Sequence, residues 1–232
     1  MAFLALNAQS STISTFDSGT EGWTSVTFSN TDPGAPPHNF GTFLPGWIGT
    51  GGDPGGYISI VDPDGNNVTG MTQYWRAPAA FLGNQTAALG GSLSFDLMDT
   101  VTGTTYNDEG IILVGGGETI VHALPSNIPG NSWSAYSVPL TPAGWTVSSS
   151  SGASATQADL ATVLGALAEL DIRAEYYTFA DTQSLDSVAL SDAVTATPEP
   201  SSAVLFVLGL LAGAIIALRV GSRKSQPGFN ER

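Results

Sequence analysis

Two histidines, 20 acidic residues and no cysteine bound the chemistry open to this 232-residue chain. Without cysteine there is no thiol nucleophile, disulfide or iron–sulfur cluster. His38 and His122 have no Ser or Asp at a recognised motif spacing, so a Ser–His–Asp triad finds no support. His122 follows the alternating Thr119–Val121 and reads as a strand residue. Gly115-Gly116-Gly117 lies between two expected strands and reads as a hairpin turn, not as a phosphate loop opening a helix. Asp108-Glu109 and Asp96/Asp99 could supply the two carboxylates of glycoside hydrolysis, one as acid and one as base or nucleophile. Any acidic surface offers such pairs. Asp62-Pro63-Asp64-Gly65-Asn66 begins like an EF-hand loop, but Asn67 stands where the turn glycine is needed and Gln73 where the bidentate Glu belongs. A Pro/Asp/Gly/Asn connection between strands describes it better. Among five tryptophans, Trp23, Trp75 and Trp133 lie in or beside expected strands. Trp47 and Trp145, next to Gly or Pro in expected loops, are the candidates for stacking on sugar rings.

These residues need a scaffold, and composition points to β structure. Hydrophobic residues make up 42% of the chain and charged residues only 11%, while 28 Gly and 14 Pro favour many turns. Apolar or alternating runs bounded by turn residues predict strands at 23–28, 57–61, 73–76, 92–97, 110–114, 119–123, 134–139, 171–177 and 187–190. Nine short strands at this spacing predict a mainly β fold, an antiparallel jelly-roll-like β-sandwich. One short helix is expected within 156–170, where Leu160, Val163, Leu164 and Leu167 recur at helical spacing. Thr156 and Asp159 form its capping box.

Charge is distributed unevenly. Before residue 198, 18 acids face two bases, Arg76 and Arg173, a net of −16 within an overall −14. That surface repels phosphate and excludes nucleic acid as a partner. Four bases, Arg219, Arg223, Lys224 and Arg232, crowd the last 14 positions. Between these regions Ala203–Leu218 is wholly apolar. As a helix it spans roughly 24 Å of a roughly 30 Å hydrocarbon core, with Ser201, Ser202 and a snorkelling Arg219 covering the difference. The expectation is a single transmembrane helix at 201–220, a basic cytoplasmic tail at 221–232 and an exported body. Residues 1–10, MAFLALNAQS, read as the remnant of a signal peptide. Residues 193–200 form a linker.

The ordered set Pro198-Glu199-Pro200, apolar helix, and basic stop at Arg219, Arg223 and Lys224 resembles the PEP-CTERM sorting signal over residues 197–224. The resemblance implies processing by an exosortase, inner-membrane anchoring beforehand, and final delivery to the cell surface or extracellular matrix. The SQPGFNER tail runs longer than that pattern. The body, residues 16–192, resembles the laminin B-type domain, or laminin domain IV. The carrying segments are Phe16-Asp17 with Gly22-Trp23, Tyr74-Trp75-Arg76-Ala77-Pro78, Gly91–Leu97, Tyr136–Leu140, Ile172–Tyr176 and Leu185–Val188. The resemblance implies a jelly-roll sandwich of matrix and surface proteins without established catalysis. The cysteine-rich neighbours of animal versions are missing. Sandwiches resembling carbohydrate-binding modules often hold a structural calcium where first and last strands meet, which implies Asp17 and Asp186 as ligands. Two functions follow as expectations. One is a non-enzymatic surface protein binding polysaccharide or a surface protein. The other is a cell-surface hydrolase acting on polysaccharide through acidic loops.

Overall fold

The computed structural model describes residues 11–29, 41–62, 71–101, 103–105, 109–124, 128–177 and 180–193. In chain order the strands are β1 (Ser11–Ser14), β2 (Thr24–Ser29), β3 (Gly41–Phe43), β4 (Gly46–Gly52), β5 (Gly55–Val61), β6 (Met71–Arg76) and β7 (Ser92–Asp99). There follow β8 (Ile111–Gly115), β9 (Glu118–His122), β10 (Ser134–Pro139), β11 (Trp145–Val147), the helix α1 (Gln157–Gly165), β12 (Leu167–Arg173) and β13 (Thr182–Ser191). All paired strands run antiparallel and form two sheets. One has the order β10-β7-β13-β5-β4, with β1 also on β13; the other is β11-β9-β8-β12-β6-β2-β3. The expected mainly β sandwich with one short helix is therefore the fold of the described residues.

Alternation decides what each strand buries. In β7, Leu93, Phe95, Leu97 and Asp99 point inward while Ser92, Ser94, Asp96 and Met98 point out. Inward residues of both sheets meet in one core containing Phe16, Trp23, Ile58, Trp75, Phe81, Leu97, Ile111, Leu113, Val138 and Leu185. Trp23 joins it by edge-to-face contacts with Phe16 and Phe81, at 6.3 and 5.3 Å between ring centroids. Burying each such side chain stabilises the fold by about 1.5–3 kcal/mol.

The helix is capped as expected. Asp159 N–H donates to Thr156 Oγ1 and Thr156 N–H donates to the Asp159 carboxylate, each satisfying an orphan donor. It is shorter than the 156–170 expectation. Gly165 weakens its last turn, and Leu167 and Leu170 belong to β12, where they pair with β8. The leucine spacing fits a helix, yet the two leucines are held by strand pairing. The expected strand 171–177 thus begins earlier, at Leu167. Gly115-Gly116-Gly117 makes the β8–β9 hairpin turn, with φ of +58° and +84° at Gly116 and Gly117.

No helix among the described residues is long and apolar enough to cross a membrane. The expected span at 201–220, the Pro198-Glu199-Pro200 motif, the basic residues Arg219, Arg223 and Lys224, and the leader at 1–10 lie outside the described residues.

Candidate functional site

Register assembles the site on the outer face of the six-stranded sheet. Asp186 of β13 stands directly opposite Asp96 of β7, and Asp96 opposite Ala135 of β10. The adjoining row holds Ser94 with Ser137. Along this face Ser94 and Asp96 are half-buried, and Ala135 and Ser137 are exposed. On β5 Tyr57 points outward, opposite Ile48 of β4.

One end of the face is closed by two aromatic rings. Trp133, just before β10, packs edge to face on Tyr57 with ring centroids 5.3 Å apart. Its indole N–H donates to the Gly51 carbonyl at 2.9 Å. A ring wall beside carboxylates and hydroxyls is chemistry that suits a sugar. The rings offer a flat apolar surface to C–H groups, and the polar side chains accept or donate to hydroxyls.

The tip of the β4–β5 hairpin, Gly51–Gly56, lies over Asp186. Asp186 Oδ2 accepts the Asp53 N–H at 2.5 Å and Oδ1 accepts the Ser187 N–H at 2.7 Å. Ser187 Oγ in turn donates to the Asp53 carbonyl at 2.9 Å. A Cβ on Gly52 would sit 2.4 Å from Asp186 Oδ2, and one on Gly55 2.6 Å from Asp17 Oδ1. The glycines let the turn settle onto the two acids. Thr15 Oγ1 also donates to Asp17 Oδ2 at 2.9 Å. Burial raises the pKa of Asp96 to about 6, with Asp53 and Asp186 adding repulsion. Burial also raises Asp186, against the opposing N–H groups of Asp53 and Ser187.

The sequence-derived candidates part company here. Trp47 is 45% exposed, as expected of a stacking residue. It lies in β4 and not in a loop, opposite the buried Ile58, so it faces away from Tyr57. Its indole N–H donates to the Phe16 carbonyl. Trp145 is only 1% exposed. It lies in β11, donates to the Pro139 carbonyl at 2.9 Å, and packs edge to face on His122. It is a core residue, because the Pro and Gly beside it bound a short strand and do not open a loop; the expectation of a stacking Trp145 is corrected. Asp96 and Asp99 point to opposite faces of β7, so they make no catalytic pair. Glu109 is buried and accepts the Ser150 N–H, while Asp108 lies outside the described residues.

Asp17 and Asp186 approach the same turn, where the missing side chains of Gly55 and Gly52 leave room for their carboxylates. Both oxygens of Asp186 already take backbone donors. Among the described residues no group of three or more His, Asp or Glu side chains could hold a metal ion.

Sequence reasoning missed the pairing of Trp133 with Tyr57 and the anchoring of the hairpin by Asp186. The signal for the second was present in Gly51-Gly52-Asp53-Pro54-Gly55-Gly56, a turn with room for a carboxylate on either side. No local signal marks the first, since the partners are 76 positions apart.

The laminin B (domain IV) family model matches residues 74–205. No curated protein matches the chain. Among solved structures, the L4b domain of human laminin alpha-2 superposes with a TM-score of 0.60 at 18% identity, covering 80% of this chain and 98% of that one. A family 11 carbohydrate-binding module of the cellulosomal cellulase Lic26A-Cel5E of Clostridium thermocellum gives a TM-score of 0.46 at 13% identity, covering 83% and 100%.

Proposed function

The chain belongs to the laminin B (domain IV) family, and from that membership we propose a non-catalytic protein that binds polysaccharide on the outer face of its six-stranded sheet. The observation that carries this reading is the Trp133–Tyr57 wall standing beside Asp96, Ser94 and Ser137. The rings supply a stacking surface, and the strand-borne polar groups supply hydroxyl recognition on a rigid platform. A body with 18 acids and two bases repels acidic glycans, so the substrate class is a neutral polysaccharide.

One observation bears on the hydrolase alternative: the carboxylates of Asp96 and Asp186 face each other, one of them with a pKa near 6. Asp186, however, spends both oxygens on the turn, which leaves Asp96 without a free carboxylate partner. Binding is the reading the geometry favours.

The tail gives the cellular setting. Pro198-Glu199-Pro200, the apolar stretch and the basic stop support export, anchoring at 201–220, processing by an exosortase and delivery to the surface. Surface proteins are the second class of partner in this setting. Calcium at Asp17 and Asp186 rests on the sequence resemblance alone.

The reading is tested by probing a glycan array with the full chain in non-ionic detergent. Retention by neutral glycans supports it. Retention by none, or hydrolysis of those bound, contradicts it.

A further inference from the structure

The interior of the six-stranded sheet turns polar at the end away from the Asp186 turn. Leu97 and Leu185 face each other in the core. Two residues along the same faces, the paired positions are Asp99 and Gln183. Alternation from Gln183 also points Asp181 inward, and Asp62, whose N–H donates to the Asp181 carbonyl, lies beside it. Asp99 is 0% exposed, Gln183 1% and Asp181 4%. Gln183 Nε2 donates to Asp181 Oδ1, and Asp99 Oδ1 accepts the Val101 N–H.

Three oxygens of this group, Asp99 Oδ2, Asp181 Oδ2 and Gln183 Oε1, have no hydrogen-bond donor among the described residues. The Asp99 and Asp181 carboxylates repel each other, and either a shared proton or a bridging cation relieves that repulsion. Among the described residues the charged groups acting on them are acids, Asp62 and Glu175 included. A buried carboxylate pair without a cation is strongly unfavourable, because burial and mutual repulsion act in the same direction.

We propose that Asp99, Asp181 and the Gln183 amide oxygen form a site for a single divalent cation, calcium, which ties β7 to β13 at this end of the sandwich. The ligand set is hard oxygen throughout. Two carboxylates balance the charge of one calcium ion. Calcium accepts six to eight oxygens in flexible geometry, whereas magnesium demands a near-ideal octahedron and gives up its water reluctantly. The site is separate from Asp17 and Asp186 and independent of the polysaccharide reading.

The test is a thermal melt and a calorimetric titration of the full chain in non-ionic detergent, using calcium chloride alone after chelator treatment. Calcium at a hundred times its Kd should raise the Tm by about 5–10 °C, and magnesium by far less. Calorimetry should show one calcium per chain. Asp181→Asn and Asp99→Asn replace a carboxylate by an isosteric amide that needs no counter-charge, and each should fold and lose the response. Asp186→Asn should keep it. A wild-type Tm that is equal in calcium and in EGTA overturns the site and leaves a proton shared by the two acids. A response lost in Asp186→Asn but kept in Asp181→Asn overturns it equally, by placing the ion at the other end.

Discussion

Trp133 and Tyr57 meet edge to face at 5.3 Å although three strand intervals separate β10 from β5. At about 4.8 Å per interval a flat sheet would hold them roughly 14 Å apart. The contact exists because the segment before β10 and the β4–β5 hairpin reach toward each other over the outer face, and the indole seals the meeting through the Gly51 carbonyl. The same contact gives the face an end wall and turns a surface into a site.

Asp186 anchors the tip of the β4–β5 hairpin, whose second strand carries Tyr57. Replacing it with Ala leaves the Asp53 and Ser187 N–H groups without their acceptors. At about 1.5–3 kcal/mol for each part-buried hydrogen bond to a charged acceptor, the loss should total roughly 2–4 kcal/mol after relief of acid repulsion and rehydration of the freed N–H groups. A denaturant titration checks this. Because the hairpin tip then loses its anchor, Gly52→Ala, which crowds the same carboxylate, should act in the same direction.

On the other sheet, Arg76 makes a two-point contact with the fully buried Asp171, at 2.8 Å for each bond, and also reaches Glu169. Arg76→Met strands the Asp171 charge. The expected cost is about 3–5 kcal/mol, much of it recovered when Asp171→Leu is added, since an apolar pair carries no desolvation penalty. Denaturation of the single and double variants decides it. A double variant no better than the single would show that the loss comes from packing.

Stability should also depend on pH with a defined sign. Burial pushes Asp96 and Asp171 up to about 6, above their unfolded value of 3.8. The folded state therefore binds these protons more tightly. Their contribution is full below pH about 4 and is lost as pH rises through 6. The Tm should fall between pH 4.5 and 7, and Asp96→Asn should flatten part of that slope. A Tm that rises across this range would contradict the assignment.

Much of this was legible from residue order. The inward alternation of β7, the capping box and the triple-glycine hairpin are local patterns, and local patterns survive folding. The leucine spacing predicts a helix five residues too long because Leu167 and Leu170 suit a helix stripe and a buried strand alike, and only pairing with β8 distinguishes the two. Trp47 and Trp145 looked equivalent, each beside Gly or Pro. Their fates differ because β4 is an exposed edge strand while β11 is folded inward over His122. The site itself depends on contacts 76 and 133 residues apart, Tyr57 with Trp133 and Asp53 with Asp186, which no periodicity announces.

At the C-terminus, Glu199→Ala or deletion of Pro198–Pro200 should leave unprocessed protein in the inner membrane. Immunoblotting of membrane and surface fractions measures this. Normal processing and surface delivery of the variant would reduce 201–220 to a plain anchor.

The central claim, that the Trp133–Tyr57 wall binds polysaccharide, is tested most directly by titrating a neutral glycan retained on the array into the full chain and its Trp133→Ala variant. Loss of one stacking ring should weaken binding at least about tenfold, which corresponds to about 1.4 kcal/mol. Trp47→Ala, on the opposite side of β4, should leave the Kd unchanged. Equal affinity of wild type and Trp133→Ala, or a loss confined to Trp47→Ala, would contradict the account.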